Sequence, residues 1–221
     1  MTLKEIKFDC KFFRGEIPCQ PNKLRGKVCE NCDEYAPISK RILIIKLGAL
    51  GDVIRSTPLA VRYKKLYPGC HITWVTHSPE ILPKEDIDKI YRFDFNAVYA
   101  VTHQQYDIAI NLDKEIEACA LLKDVKAEKK YGFTWGNNHI DIATPDAAHK
   151  LVTGLFDKAS KENTKNYLEE IFEICGLKFE HEPYLLPVNK ELAKKWNLLN
   201  EKANGKKIIG LNTGCGKRWL T

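Results

Sequence analysis

Residues 41–58, RILIIKLGALGDVIRSTP, put a lysine, two glycines and an aspartate directly after one apolar run. Positions 42–47 are apolar apart from Lys46 and rich in β-branched side chains, the pattern of a strand buried on both faces of a parallel sheet. Gly48 and Gly51 follow, then Asp52 at the head of an apolar-periodic stretch. A glycine-lined turn from strand to helix lets a ligand approach the backbone and presents unpaired N–H groups to it. Asp52 has two roles open to it there. It can cap the helix, or it can project into the cleft outside the strand ends, where open α/β sheets bind ligands. Lys46 likewise either snorkels to solvent at the strand's end or faces phosphates in that cleft. The spacing G-x-x-G-D matches neither the dinucleotide fingerprint nor the phosphate loop, so nicotinamide binding and ordinary nucleotide hydrolysis are unsupported.

Other reactive residues are sparser. Asp107 and Asp113 bracket the apolar run at 107–112; Asp107 reads as a strand-start residue, while Asp113 falls at the carboxyl end beside the expected cleft. His77 and His103 follow apolar runs and read as structural or solvated. Gly214, Gly216 and Lys217 form a second turn whose amides suit a diphosphate, with lysine adding positive charge. No hydrolase triad order and no H-E-x-x-H site occurs. Cys10, Cys19, Cys29 and Cys32, spaced C-x8-C-x9-C-x2-C, could close a tetrahedral thiolate site. Structural zinc is the expectation, with an iron–sulfur cluster, a redox-active Cys29/Cys32 pair and unliganded thiols as alternatives. Cys70, Cys119, Cys175 and Cys215 are dispersed and read as small core residues.

The elements that must position these residues follow from periodicity. Strands are expected near 42–47, 71–76, 97–101, 107–112 and 130–133. Helices are expected near 53–66 (bent or restarted at Pro58), 115–123, 146–157, 164–175 and 190–203. Alternation of the two implies βαβ units and a parallel sheet. Residues 1–39 carry four cysteines and no period, a small module of their own; 40–189 form a Rossmann-like domain; 190–221 hold a linker helix and an apolar strand starting at Lys207. That last strand looks like the first of a second domain, as if the chain were truncated. With 44% hydrophobic and 29% charged residues the 221-residue chain is globular in composition. A net charge of +6 suits anionic partners, but the lysines are scattered, which argues against nucleic acid. No signal peptide or membrane-spanning run is visible, so a cytoplasmic protein is expected, with at most a peripheral contact at the inner face of the membrane.

Several segments, in order, resemble one family. ILIIKLGALGDVIRSTPLAVRYKKLYPGCHITWV (42–75), YDIAINL (106–112), Tyr131 to Phe133, TKNYLEEIFEICGL (164–177) and GLNTGCGKRWL (210–220) are similar to motifs of glycosyltransferase family 9, the bacterial heptosyltransferases of lipopolysaccharide core assembly. The resemblance spans roughly residues 41–221 and implies the amino-terminal half of a GT-B fold. It implies inverting transfer of heptose or a related sugar from an ADP-activated donor to a glycolipid or oligosaccharide acceptor, with Asp52 as general base and no catalytic metal. Lys46, Gly48, Gly51 and Asp113 would then line the substrate cleft. Thr213, Gly214, Gly216 and Lys217 would meet the donor's phosphates. The Cys-rich extension lies outside the resemblance. The rival reading is a non-catalytic metal-binding or assembly module built on a truncated Rossmann domain.

Overall fold

A computed structural model describes residues 2–187 and 189–211. The chain divides into two compact units, Met1–Leu186 and Pro187–Thr221. The first carries both the Cys-rich segment and the sheet. Its elements are α1 (Gln20–Arg25), β1 (Arg41–Ile45), α2 (Leu50–Ser56), α3 (Pro58–Leu66), β2 (His71–Thr76), β3 (Lys89–Arg92), α4 (Phe95–Thr102), β4 (Gln105–Asn111), α5 (Ile116–Asp124), β5 (Lys126–Trp135), β6 (Ile140–Ile142), α6 (Ala148–Leu155), α7 (Asp157–Glu162) and α8 (Tyr167–Ile174). The second unit contains α9 (Lys190–Ala203).

The sheet runs β3-β2-β1-β4-β5-β6, parallel throughout except for β6, which lies antiparallel on β5. Why β1 sits at its centre is visible in its side chains. Ile42 and Ile44 enter one core with Leu59, Tyr63, Ile171 and Phe172; Leu43 and Ile45 enter the other with Val101, Ala118, Leu121 and Leu122. All four strand residues are fully buried. A strand alternates its faces residue by residue, so an unbroken apolar run requires cover on both sides. Helices α2, α3 and α8 supply one cover and α4 and α5 the other. Each fully buried Ile or Leu of this kind contributes about 1.5–3 kcal/mol of transfer free energy.

The α/β architecture and parallel sheet agree with the pattern, and so do β1, β2, β4, α5, α8 and α9 to within a few residues. The 53–66 helix is two helices meeting at Thr57, since Pro58 has no N–H to continue the first. One expected strand, 97–101, is instead part of α4. Asp94 caps that helix by accepting from Ala97 N at 2.8 Å, and Ala97 and Val101, four residues apart, are buried while Phe95 and Tyr99 face out. The edge strand β3 and the short β6 had no doubly buried run to betray them. Nor do residues 206–211 form the strand expected from Lys207: Ile209 and Leu211 are 82% and 84% exposed, and no strand pairs with them among the described residues.

Two local devices fix the frame. Gly132 of β5 sits opposite Asn111 of β4 with φ 92°, and any Cβ there would run into the Asn111 carbonyl, so only glycine fits. After α8 the chain straps back across α3. Buried Arg62 donates to Lys178 O at 3.0 Å and pairs with Glu182 and Glu180, and Leu185 N donates to Thr57 Oγ1 at 2.9 Å. Among the described residues no helix is long and apolar enough to cross a membrane.

Candidate functional site

Strand order decides where a ligand can sit. From β1 the chain moves outward through β2 and β3, then returns to place β4 and β5 on the other side of β1. The carboxyl ends of β1 and β4 therefore flank the point where the winding reverses, the position at which open α/β sheets hold ligands. Lys46 and Leu47 leave β1 there, and Leu112 to Lys114 leave β4.

Across that point lies a buried clasp. The Lys46 ammonium donates to Asp113 Oδ1, and the Leu47 amide donates to Oδ2 of the same carboxylate. The two side chains are 5% and 4% exposed. Burial pushes the Asp113 carboxyl up, against the opposing pull of Lys46. Asn111 locks the turn behind it. Its Nδ2 donates to Asp113 O and to Phe133 O, both at 2.8 Å, and its Oδ1 accepts from Asp113 N at 2.9 Å. The Cys119 thiol donates to the same Asp113 carbonyl at 3.5 Å. Lys46 and Asp113, each a candidate ligand contact from sequence, are thus each other's partner.

Asp52 is placed differently. Helix α2 begins at Leu50 after Ala49, and no side chain caps it, so Asp52 is not the cap. Its carboxylate is 36% exposed and accepts from Arg55 Nη1 at 3.2 Å, one turn along the helix. The Arg55 guanidinium in turn stacks 3.8 Å from the centre of the Tyr167 ring on α8, and Lys150 of α6 lies 5.4 Å from the same ring. Burial and the nearby Asp52 and Asp113 charges push the Tyr167 phenol up, so it stays protonated. Below it Glu170, buried, accepts from Lys150 at 2.5 Å, Asn163 at 3.1 Å and Thr153 at 3.2 Å. Gly48 and Gly51 flank this turn, and a side chain at either would meet open space.

Lys114 completes the group. Its ammonium lies 5.9 Å from the Phe133 ring and takes the room left by Gly154 on α6. It pairs with no carboxylate among the described residues, and burial together with Lys150 lowers its pKa. Glu115 and Glu170 oppose that shift without contacting the ammonium, which leaves its hydrogen-bond donors at the end of β4 without a carboxylate partner among the described residues. Sequence reading passed over Lys114, although its place beside Asp113 was a usable signal. Arg55, at i+3 from Asp52 on a helix, was also legible. Lys150, Tyr167 and Glu170 lie far along the chain and left no local mark.

The remaining candidates are elsewhere. Thr213, Gly214, Gly216 and Lys217 lie outside the described residues, as does Cys215. His77 packs edge-on against Phe93 and His103 stacks on Tyr99, and both are exposed. Asp107 accepts from Lys40 and the Arg41 amide, both at 2.7 Å, at the amino end of β4. Cys10, Cys19, Cys29 and Cys32 line one small cavity in the amino-terminal segment. Lys11, Phe13 and Arg14 of that segment lie with Arg41, His71 and Lys89, the first residues of β1, β2 and β3, at the sheet end opposite Asp52.

Among solved structures, the chain is similar to the glycosyl transferase family 9 protein from Veillonella parvula DSM 2008, with TM-score 0.51 and 20% identity over 83% of this chain and 57% of that one. The fold is shared. Two E. coli proteins align less closely: ADP-heptose lps heptosyltransferase II (TM-score 0.47, 15% identity, 74% of this chain and 50% of that one) and heptosyltransferase WaaC with ADP (TM-score 0.42, 16%, 68% and 49%). No protein-family model and no curated protein matches the sequence. The chain spans little more than half the length of the Veillonella protein, 57%.

Proposed function

We propose that this chain is the acceptor-side half of a glycosyltransferase that moves heptose or a related sugar from a nucleotide-activated donor to a hydroxyl of a lipopolysaccharide core or related glycan. The observation that carries this reading is the partly exposed Asp52 carboxylate at the winding reversal, held by Arg55. The shared fold and the motif order support it.

The chemistry is a single displacement. Asp52 takes the proton of the acceptor hydroxyl as its oxygen attacks the anomeric carbon. The bond from that carbon to the donor's diphosphate breaks on the opposite face, inverting the centre, and the nucleoside diphosphate leaves with the electron pair. Arg55 acts through Asp52, fixing the carboxylate's direction against the Tyr167 ring. Lys114 offers positive charge to an anionic group of the bound substrates, and Lys217 would do so for the donor's diphosphate. The Lys46–Asp113 clasp positions the turn that carries Asp52. A lipid-borne acceptor would bring the protein to a membrane surface. Exposed Val152, Leu155 and Phe156, followed by Lys158 and Lys161, supply an apolar and basic edge for that contact.

The test is Asp52→Asn in the intact gene product, assayed for transfer from ADP-heptose to heptose-deficient lipopolysaccharide. The substitution conserves volume and gives up only a partly exposed ion pair, so stability should fall by no more than about 1 kcal/mol. Turnover should fall roughly 10²–10⁴-fold. Retention of most activity would remove Asp52 as the base.

A further inference from the structure

We propose that Cys10, Cys19, Cys29 and Cys32 bind one zinc ion as four thiolates, and that this ion, in place of an apolar core, holds residues 2–40 in shape. The four residues come from separate pieces of backbone. Cys10 opens a turn closed by Phe13 N donating to Cys10 O at 2.9 Å; Cys19 precedes α1; Cys29 begins a 3-10 turn that Cys32 ends. Nonetheless all four line a single cavity of about 40 Å³. That is room for a water or a few, and far below the roughly 300 Å³ at which small-molecule sites begin. An ion is the occupant of that scale.

The thiols are also uncommitted. None forms a disulfide, and among the described residues none of these thiols makes a hydrogen bond, whereas the Cys70 and Cys119 thiols donate to the carbonyls of Tyr63 and Asp113. Meanwhile the segment lacks other means of support. Pro21 is its one buried residue among described positions 2–40, and Leu3, Phe8, Phe13, Ile17 and Leu24 are 38–76% exposed. A stretch of about 40 residues without a core needs a cross-link or a metal to hold a fixed shape. Peripheral ion pairs, Arg25 with Glu34 and Lys27 with Asp33, are exposed and worth little by themselves.

As the side chains stand, no three His, Cys, Asp or Glu groups among the described residues are set to hold an ion. Binding therefore requires the thiols to turn inward until each sulfur is about 2.3 Å from a common centre. The ion replaces four thiol protons, which are released to solvent, and the resulting site carries a net charge of −2. Lys7 and Lys27 line the same cavity and offset it. Because the segment meets the amino ends of β1, β2 and β3, the ion is structural and lies at the sheet end away from Asp52.

The experiment uses the full chain purified under reducing conditions without added metal. Elemental analysis should give about one zinc per chain, released by a mercurial and detected with a chromogenic zinc dye. In a separate sample the four thiols should resist Ellman's reagent until a chelator strips the zinc. Cobalt added to metal-stripped protein should give the visible bands of tetrahedral four-thiolate cobalt, a readout that needs no variant. Cys29→Ser should lower zinc occupancy at least tenfold, while Cys70→Ala keeps it. Zinc-free protein with all four thiols freely reactive would overturn the proposal, as would iron with acid-labile sulfide or a Cys29–Cys32 disulfide.

Discussion

Asp113→Asn isolates the charge in the clasp across the winding reversal. The substitution keeps the side chain's volume and an oxygen that can accept from the Leu47 amide, but leaves the Lys46 ammonium, 5% exposed, without a counter-charge. Removing one partner of a buried ion pair costs about 3–5 kcal/mol, because the remaining charge is stranded. For a folded unit of this size each kcal/mol shifts the melting temperature by about 2–4 °C, so the drop should be about 6–20 °C. Removing both charges, Lys46→Met with Asp113→Leu, leaves no stranded group and should recover most of that loss. Circular-dichroism melts and urea titrations of the parent, Asp113→Asn and the double variant make the comparison. The single variant should also lose turnover, since Leu47 leads directly into the turn before Asp52. If Asp113→Asn melts within about 2 °C of the parent, or the double variant is no better than the single, the clasp does not hold the site.

Lys114 should behave in the opposite way. At neutral pH its ammonium is partly desolvated without a carboxylate partner, so Lys114→Met should leave stability unchanged or slightly raised. Loss of a charge-assisted hydrogen bond to an anionic substrate should raise KM roughly 10- to 150-fold; a drop in stability with unaltered KM would make Lys114 structural. At His71, which opens β2, burial lowers the imidazole pKa, with Arg41 and Lys89 acting in the same direction and Asp88 against it. A depressed folded pKa gives stability that is present above the unfolded value of about 6.5 and lost as pH falls through the folded one. Relative to the parent, His71→Gln should therefore flatten the fall in melting temperature on acidification below about pH 6.5. Parallel pH profiles would assign that fall to other groups.

The parts of the fold legible in the sequence are those where one strand carries the whole signal. Residues 42–45 are apolar on both faces because both faces are covered, and no helix among the described residues presents four consecutive fully buried residues of that kind. The failures share a cause. Residues 97–101, AVYAV, look like such a strand, yet Asp94 three residues before Ala97 caps a helix that buries only Ala97 and Val101. In β3 the edge position leaves Lys89 to Tyr91 half-buried and Arg92 exposed, so polar residues intrude and the run disappears. Residues 206–211 read as a strand by composition, but a strand is stable only against neighbours, and none pairs with them among the described residues.

In the cleft, residue types were legible and partnerships were not. Lys46 and Asp113 are 67 positions apart and meet only because β4 lies beside β1, an adjacency fixed by the crossover and not by any local pattern. That partnership changes what each can do. A lysine whose charge is already balanced by a buried carboxylate is a weak ligand for phosphate, and a carboxylate that is 4% exposed with both oxygens already accepting is closed to an incoming hydroxyl. The clasp thus withdraws two of the three charged candidates at this turn from direct chemistry. Asp52 differs in the one respect that matters for a base. Among the described residues its one direct partner is Arg55 on its own helix, through one oxygen, and its side chain is 36% exposed. At that exposure the carboxylate stays accessible from solvent, which the proposed role of base requires and the clasp denies to Asp113.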